Sequence, residues 1–392
     1  MKMKFKKIAI LVIVAFISMA AYGQLFHPLG LGGERCERIN RNAQPQMHVE
    51  GDILYVCTNQ GLFSKDLSSE ESAWQLVGFE DVSLLDYVRK GEEMVVLSYN
   101  VSTSSLLLSH NSGKTFEDVT SDLFGGKNVL KSLAQNPNDL NKLLVLSSSK
   151  GVFQSTDFGQ TWNLLTNVVP ENMGYHPLLP DIIYIFGMTN YFSPYFYISY
   201  DGGQNWSVKM PYNSGDNNVY RIAFHPTDSD KWVAAGNGVV YSTTDNGQTW
   251  NIQDFLSDIT RSASWRFVAY DSNNGDVIYM VAHTDDSIKI MYSVDGGQTW
   301  EVSRIESIQD KVNDLRQYGD KLLIYTESDV YEISKAELLA QSTSVHSITA
   351  STQISSVYYD LLGRRVDSPS GLTIVVTRYS DGSVRTDKKL FR

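Results

Sequence analysis

The chain has 392 residues, of which 42% are hydrophobic, enough for one large β domain with an appended tail. Its 44 acidic and 33 basic residues give a formal charge of −11 without any basic run, so we expect no nucleic-acid partner and no attraction to anionic membranes. No P-loop, dinucleotide fingerprint, H-E-x-x-H or G-x-S-x-G motif is present, so we expect no cofactor and no metal.

Residues 1–23 are predicted to be a signal peptide. Four lysines precede an apolar run from Ile8 to Ala20, and Ala21-Tyr22-Gly23 has the small-x-small pattern of a cleavage site. The run is short for a membrane-spanning helix. Cleavage removes the four lysines and takes the formal charge from −11 to −15. We predict an exported protein, extracellular or on the outer-membrane surface, in which residues 24–43 form an N-terminal closing segment.

The two cysteines, Cys36 and Cys57, leave two interpretations open. Export permits a disulfide between them, closing a loop of about 20 residues and contributing about 3 kcal/mol. Alternatively both are free thiols, with Cys57 buried in the strand-like run DILYVCTN. Two cysteines and scattered histidines are too few ligands for a zinc site.

An octapeptide rich in Asp, Gly and Trp recurs along the chain. Near-complete copies begin at 155, 199, 243 and 293, the last reading SVDGGQTW, and weaker copies begin at 109 (SHNSGKTF) and 64 (SKDLSSEESAW). Successive copies begin 45, 46, 44, 44 and 50 residues apart. Two β-rich runs joined by a polar loop precede several copies, often after a turn with Pro. A period in the forties with this content predicts four-stranded propeller blades.

Seven such units fit between residues 44 and 340. The seventh, DKLLIYTESDVYEIS, lacks the octapeptide and with it an outer strand. We therefore predict an all-β fold, a seven-bladed β-propeller of four-stranded antiparallel blades. The segment from Glu37 to Arg41 is expected to close the ring by pairing with residues 329–334.

Each octapeptide is predicted to form a tight turn between the third and fourth strands of its blade. The Asp accepts hydrogen bonds from following backbone N–H groups, and the Gly supplies a positive φ. The Trp is a buried apolar plug, and a Ser or Thr two residues before the Asp is expected to bond the opposite side of the hairpin. These structural residues are Asp157, Gly159, Trp162, Asp201, Gly203, Trp206, Asp245, Gly247, Trp250, Asp295, Gly297 and Trp300.

The motif Ser/Thr-x-Asp-x-Gly-x-Thr-Trp resembles the Asp-box, or BNR, repeat of sialidases, xyloglucan-active glycosidases, sortilin-type receptors and photosystem assembly factors. The resemblance implies a propeller with its boxes on the face opposite the ligand site, but these families have unrelated activities. Sialidases also carry an Arg-Ile-Pro motif near their start. The nearest run here, Tyr220-Arg221-Ile222-Ala223, lacks the proline and lies mid-chain, so we interpret it as an inner-strand repeat element.

Candidate ligand residues lie mainly in the loops between the second and third strands. The loop GMTNYFSPYF offers aromatic and amide groups that suit a sugar ring or a protein partner, unless they fold back onto their own blade. The loop HTDDS, residues 283–287, carries a histidine and two aspartates that suit acid, base or cation-ligand roles, unless they are simply solvated. An inner-strand arginine would add positive charge to the lining. The candidates are Asn190, Tyr191, Phe192, Tyr195, Arg266, His283, Asp285 and Asp286.

The C-terminal region is predicted to be a Ser/Thr-rich linker, residues 341–356, followed by a β segment, residues 357–392. The pieces YDLLGRRV (359–366), Gly371-Leu372 and KKLFR (388–392) resemble the C-terminal sorting domain of Bacteroidetes type IX secretion substrates. That resemblance implies the secretion machinery as a partner. The alternative is a small β appendage docked on the propeller.

The predicted function is binding of a glycan or an extracellular protein without catalysis, because the mouth loops are short and carry no recognisable catalytic set. The alternative is a glycoside hydrolase, sialidase-like or xyloglucan-active-like, with a non-standard active site at the propeller mouth. No catalytic residue is assigned.

Overall fold

The computed structural model describes residues 26–36, 45–100, 103–125, 130–188, 194–209, 219–236, 239–254, 264–283, 288–302, 310–340, 348–349, 351–360, 364–366, 371–379 and 384–391. Numbered in chain order, strands β1–β28 form seven four-stranded antiparallel sheets, here called blades 1–7, and β29–β33 belong to the tail. The helices are short: α1 (Gly33–Cys36), a 3-10 turn (Asp122–Phe124) and α2 (Lys335–Ala340).

Each blade is built from strands that follow one another in the chain, except for β1 (His27–Pro28) in blade 7. Blades 1–4 contain β2 (Met47–Glu50), β3 (Ile53–Thr58), β4 (Gly61–Asp66), β5 (Gln75–Gly78); β6 (Leu84–Lys90), β7 (Glu93–Asn100), β8 (Thr103–Ser109), β9 (Glu117–Asp118); β10 (Leu130–Gln135), β11 (Leu143–Ser147), β12 (Gly151–Ser155), β13 (Asn163–Thr166); β14 (Asn172–Tyr175), β15 (Ile183–Met188), β16 (Pro194–Ser199) and β17 (Ser207–Lys209). Blades 5–7 contain β18 (Val219–Phe224), β19 (Trp232–Gly236), β20 (Val239–Thr243), β21 (Asn251–Asp254); β22 (Ser264–Tyr270), β23 (Ile278–His283), β24 (Ile288–Ser293), β25 (Thr299–Val302); β26 (Val312–Tyr318), β27 (Lys321–Thr326), β28 (Val330–Ser334) and β1.

The core consists of the apolar layers between neighbouring blades. Seven hydrophobic clusters occur among the described residues, one for each adjacent pair, including a cluster between blade 7 and blade 1. Successive blades also contact each other near their inner strands, and β26 contacts β2. The ring is therefore closed, and the predicted all-β propeller class is confirmed.

Blade 7 closes with a strand from the N-terminal part of the chain, but not with the predicted segment. His27 pairs with Glu332 and Pro28 pairs with Tyr331. The expectation that Glu37 to Arg41 takes this place is wrong, because β1 already occupies the free edge of β28; residues 37–44 lie outside the described part of the chain. Phe26 and Leu31 on either side of β1 are almost fully buried, which anchors the short strand.

The Asp-box turns contain the predicted hydrogen bonds. Asp295 Oδ1 accepts from the backbone N–H groups of Gln298 and Thr299 at 3.0 and 2.8 Å, and Asp295 Oδ2 accepts from the Thr299 hydroxyl at 2.6 Å. The φ angles of Gly159, Gly203, Gly247 and Gly297 are 86°, 96°, 78° and 88°, which is the left-handed region. Ser293 differs from expectation, because its hydroxyl stays within the turn, donating to Asp295 and accepting from Gly297 N–H.

Each box is tied to the turn between the first two strands of its own blade. Gly296 N–H, for example, donates to the Asp276 carbonyl at 2.8 Å, and blades 1–5 repeat this bond. The box tryptophans pack against the preceding blade, as in the stacking of Trp250 on Phe196 with centroids 4.6 Å apart. The boxes therefore lie on the same face as the turns between first and second strands, here called the box face.

On the box face, a side chain in the turn between the first two strands links blade 3 to blade 4, and another links blade 4 to blade 5. In the turn of blade 4, His176 Nδ1 accepts from Leu178 N–H and Leu179 N–H at 3.0 Å each, and Nε2 lies 3.1 Å from the Ser229 carbonyl of blade 5. Asn136 has the same role in blade 3, where its side-chain oxygen caps the turn and its amide donates to Pro180 of blade 4.

The tail is attached to the outer edges of two blades. Strand β29 (Ile348–Thr349) pairs with β25 of blade 6, and β30 (Ser351–Tyr359) pairs with β21 of blade 5. Strands β31 (Arg365–Val366), β32 (Gly371–Tyr379) and β33 (Val384–Phe391) complete the tail sheet in antiparallel order. Part of the predicted linker, residues 341–356, is thus strand, because outer blade edges offer unpaired backbone groups to it.

Candidate functional site: the central channel

The inner strands β2, β6, β10, β14, β18, β22 and β26 surround the central channel. Five of them, β6, β10, β18, β22 and β26, shift register by one residue near their start. A bulge of this kind re-aims the side chains that follow it. The first paired residue after the bulge is charged in three blades: Asp86, Arg221 and Asp314. The repeated backbone feature therefore places charged side chains at equivalent positions around the channel.

The first cavity, of about 630 Å³, is bounded by the inner strands of blades 1–3. Its lining includes His48, Glu50, Tyr87, Arg89 and Gln135. Gly91, in the turn between the first two strands of blade 2, also lines it, so this cavity lies toward the box face. The resemblance implied a ligand site on the opposite face.

Hydrogen bonds connect the polar side chains of the first cavity. Tyr87 donates its hydroxyl to Glu50 Oε1 at 2.8 Å, and Arg89 lies 3.3 Å from Glu50 Oε2. Arg89 also donates to the Tyr55 hydroxyl at 2.8 Å, and His48 Nε2 lies 2.8 Å from Asp86 Oδ1. Burial, followed by the charge of Glu50, raises the pKa of Tyr87, so its phenol stays protonated as a donor. The arrangement is a preformed polar surface.

The second cavity, of about 140 Å³, lies on the other side of the channel, between the inner strands of blades 4–7. Its polar lining comprises Asn172, Tyr184, Arg221, Asp314 and Arg316. Asp314 is buried, with 1% of its surface exposed. It accepts hydrogen bonds from Met47 N–H, Leu315 N–H and Arg316 Nη1 at 3.0, 2.9 and 2.7 Å. One carboxylate thus links blade 7 to blade 1 and holds Arg316 at the cavity.

Of the aromatic loop candidates, only Tyr195 lies in the described residues. Its side chain is buried, its hydroxyl donates to the Val169 carbonyl at 2.9 Å, and its ring packs edge-on against Tyr197. Tyr195 therefore folds back onto its own blade, the alternative considered from the sequence. Asn190, Tyr191 and Phe192 lie outside the described residues.

For the other predicted ligand residues, the structure describes the backbone of two and neither backbone nor side chain of the other two. Arg266 lies at the bulge of β22 and His283 ends β23, where its backbone pairs with Ser264 and Ile288; neither side chain is described. Asp285 and Asp286 lie outside the described residues. Within the described ranges, no group of three His, Cys, Asp or Glu side chains is arranged to hold a metal ion.

The cysteines are two separate buried thiols, so the structure contains no Cys36–Cys57 disulfide. Cys36 ends α1 and Cys57 lies in β3. Burial is the main cause that raises the pKa of Cys36 to about 12, and burial also raises the pKa of Cys57. Both are therefore protonated and unreactive at neutral pH.

The charged residues of the channel were not selected from the sequence. Arg221 was interpreted only as part of a repeat element, and it does lie on inner strand β18, but its side chain also lines the second cavity. Glu50, Arg89, Asp314 and Arg316 carried no motif. A usable signal is the recurrence of a charged residue in the inner strands, as in LLDYVRK, VYRIAF and VNDLRQY.

Residues 194–301, from β16 to β25, match the family model described as Sortilin, neurotensin receptor 3. No curated protein matches the sequence. Among solved structures, the GH74 enzyme of Niastella koreensis aligns with a TM-score of 0.60 and 16% identity over 92% of this chain and 60% of the enzyme. YCF48 bound to D1 peptide aligns with a TM-score of 0.54 and 14% identity over 74% of this chain and 92% of YCF48.

The extracellular domain of BT4673 from B. thetaiotaomicron aligns with a TM-score of 0.54 and 12% identity, covering 94% of this chain and 48% of that one. At such identities the likeness concerns the fold alone. The chain spans less than two thirds of the length of the GH74 and BT4673 structures. The fold is thus that of a β-propeller, and residues 194–301 are similar to the sortilin family.

Among the described residues, no helix has the length and apolar character needed to span a membrane.

Proposed function

We propose that this protein is an exported, non-catalytic β-propeller that binds a glycan or an extracellular protein through its central channel. The first cavity supplies the volume, about 630 Å³, together with hydrogen-bonding groups of both polarities. Arg89 and Gln135 offer donors, Glu50 offers acceptors, and the partly exposed edge of Tyr55 borders Arg89.

The observation that carries the non-catalytic assignment is that hydrogen bonds engage the carboxylates lining the two cavities, Glu50 and Asp314, and the neighbouring Asp86. Glu50 is bound by Tyr87 and Arg89, Asp86 by His48 and the Tyr87 backbone, and Asp314 by three donors. A glycosidase needs one carboxyl group that is protonated as an acid and a second that acts as base or nucleophile. Carboxylates whose oxygens are already bonded to protein donors are held in fixed positions, which suits recognition better than attack on a substrate.

A glycoside hydrolase is the second candidate, and a specific feature favours it. Glu50 and Asp86 lie on neighbouring inner strands and are connected through contacts of His48 and Tyr87 beside one cavity. Two carboxylates beside one cavity are the minimum equipment for glycosidic bond cleavage. The fold shared with a GH74 enzyme is compatible with either function.

The test is a glycan array and a peptide array probed with the mature protein, beginning at residue 24, with hydrolysis of every bound glycan followed in parallel. Binding that weakens at least tenfold in Arg89→Ala, with no product formed, supports the proposal. The matched control is Arg364→Ala, an exposed tail arginine paired with Asp360, which should bind like wild type. Product formation that Glu50→Gln or Asp86→Asn abolishes would replace the binding module by the hydrolase.

Export is the other half of the proposal and rests on the N-terminal 23 residues and on the tail resemblance. We propose that the tail, residues 357–392, is read by a type IX secretion machinery. Cell fractionation of a host with that machinery, expressing the full chain or a chain ending at residue 340, tests this directly. Surface or medium localisation that requires the tail supports it; equal export of both chains refutes the sorting role while leaving channel binding open.

A further inference from the structure

One turn on the box face differs from its counterparts in the other blades because it carries two exposed leucines. In blades 3, 4, 5 and 6, the turn between the first two strands begins with a side chain that accepts hydrogen bonds from the backbone N–H groups two and three residues later. The residues that supply these N–H groups are Asn138 and Asp139 in blade 3, Thr227 and Asp228 in blade 5, Asn273 and Asn274 in blade 6, but Leu178 and Leu179 in blade 4. The same capped turn therefore forms with polar side chains, and its backbone does not require leucine.

The two leucines of blade 4 are exposed although their backbone is held rigidly. Leu178 has 41% of its surface accessible and Leu179 has 38%. Their N–H groups are bonded to His176, which also contacts blade 5, and Asn136 of blade 3 donates to the Pro180 carbonyl in the same turn. A partner that binds a turn already fixed from both neighbouring blades pays little entropy for ordering it.

Two further large side chains are exposed on adjoining segments of the box face. Tyr200, with 38% of its surface exposed, lies in the Asp box of blade 4, where Gly202 N–H donates to the carbonyl of Asp181 at the end of the leucine turn. Its hydroxyl donates to the Asn246 carbonyl of blade 5 at 3.0 Å, which orients the ring. Leu140, with 41% exposed, lies in the equivalent turn of blade 3. The leucine patch is defined as Leu140, Leu178, Leu179 and Tyr200. Exposed apolar groups that cluster in this way mark interaction surfaces, unlike single ones.

Carboxylates without a described cation border the leucine patch. Asp181 ends the leucine turn and Asp230 lies in the adjoining turn of blade 5, and both are exposed. Among the described side chains, no lysine or arginine comes within 4.0 Å of either carboxylate. The lysines of the turns in blades 3 and 5 are already paired, Lys142 with Asp139 at 3.9 Å and Lys231 with Asp228 at 3.1 Å. The described border of the patch therefore carries excess negative charge.

We propose that the leucine patch is a docking site for a protein segment that combines apolar side chains with lysine or arginine. The leucines and the tyrosine supply preformed apolar contact area, and Asp181 and Asp230 attract basic residues at the edge of the contact. A second copy of this chain fits less well, because two molecules with a formal charge of −11 and the same acidic border repel each other. The site lies on the box face of blade 4, apart from the first cavity, and does not depend on the function proposed there.

The experiment measures the binding of three fluorescently labelled synthetic peptides to the mature protein by fluorescence anisotropy. One peptide is composed of leucine and lysine, the second of leucine and glutamate, and the third of serine and lysine. The leucine–lysine peptide should bind at least about tenfold more tightly than either of the others, since only it meets both the apolar and the acidic part of the surface. Its affinity should fall as the salt concentration is raised.

The test variant combines Leu178→Asn with Leu179→Asn, which copies the turn of blade 6 and leaves the charge unchanged. It should weaken binding of the leucine–lysine peptide at least about tenfold, as expected for residues at the centre of an interface. Its melting curve should match that of wild type, because both side chains are exposed. The matched control is Leu164→Asn, which removes a leucine that is 53% exposed on outer strand β13 and should bind like wild type. If the double variant does not fold, Tyr200→Ser provides the test, with an expected loss of about threefold.

Several results would overturn the assignment. These are the absence of binding by the leucine–lysine peptide, equal binding to wild type and the double variant, and tighter binding of the leucine–glutamate peptide. Binding that Arg89→Ala abolishes and the double variant retains would place the peptide in the first cavity instead. Sedimentation velocity of the protein alone covers the remaining occupant: self-association of wild type that the double variant lacks would assign the patch to a second copy of the chain.

Discussion

The turn-capping histidine of blade 4 makes a pH-dependent contribution to stability that a single substitution should remove. His176 is fully buried, with 0% of its surface exposed. Because Nδ1 faces two N–H donors, it must be the unprotonated nitrogen, and Nε2–H donates to the Ser229 carbonyl. Burial lowers the pKa of His176 from 6.5 to about 4, against the weaker raising effects of Ser229 and Asp230.

The size of this pH-dependent contribution follows from the difference between the pKa of His176 in the fold and the ordinary histidine value. The neutral form stabilises the fold fully above pH 6.5, and the contribution is lost as the pH falls from 6.5 to about 4. A difference of about 2.5 pKa units corresponds to at most about 3 kcal/mol, of which about 2 kcal/mol is lost between pH 7.5 and pH 5. At pH 7.5, His176→Phe keeps a ring against Phe224 and Trp232 but leaves two N–H groups without an acceptor, costing about 2 to 3 kcal/mol.

The chain supplies its own control, because Asn136 performs the same capping in blade 3 with an amide. His176→Asn should therefore be more stable than His176→Phe at pH 7.5. It should also lack the loss of about 2 kcal/mol in free energy of unfolding that wild type shows between pH 7.5 and pH 5. Urea unfolding of the three proteins at pH 7.5, 6 and 5 measures both effects. If wild type and His176→Asn lose the same free energy of unfolding on acidification, His176 is not the titrating group and the reasoning fails.

Further changes test the Asp-box turn, a buried ion pair and the N-terminal strand. Asp295→Ala should cost about 1 to 3 kcal/mol and Trp300→Ala about 3 to 5 kcal/mol, without loss of ligand binding while the protein is folded. Melting curves and array binding on the same samples check this, and an Asp295 variant that melts like wild type yet loses binding would place the ligand at the boxes. Lys335→Met should cost about 3 to 5 kcal/mol, because it leaves the carboxylate of Asp271, 2.9 Å away, buried without its cation. Combining Lys335→Met with Asp271→Asn should recover part of this loss in chemical denaturation. If the double variant recovers nothing, the two residues do not form a specific pair. Removing residues 26–31 should cost at least about 4 kcal/mol, because the buried side chains of Phe26 and Leu31 are lost with it. Calorimetry should then show a lower melting temperature. An unchanged melting temperature would show that β1 does not hold the ring closed.

The repeated turns of the propeller could be predicted because their chemistry is local. An Asp, a Gly with positive φ and a Trp within eight residues are sufficient to form a tight turn with its plug, and a period of 44 to 50 residues then implies blades. The outer strand missing from blade 7 was evident for the same reason. These features depend on neighbours in the chain, which a sequence displays directly.

Features that depend on distant parts of the chain required the tertiary structure. Two residues of β1 form too short a pattern to be recognised as a strand, and only the free edge of β28 determines that they pair there. The Ser/Thr-rich stretch before the tail was predicted to be a linker, but blade edges about 50 and 100 residues earlier give it partners. The site is the clearest example: Asp314 bonds to Met47 N–H across 267 positions, and Arg221 reaches Gln46 across 175. Charged groups on separate inner strands become one cavity only when the ring closes, because burial and charge are properties of the assembled blades and not of any one repeat.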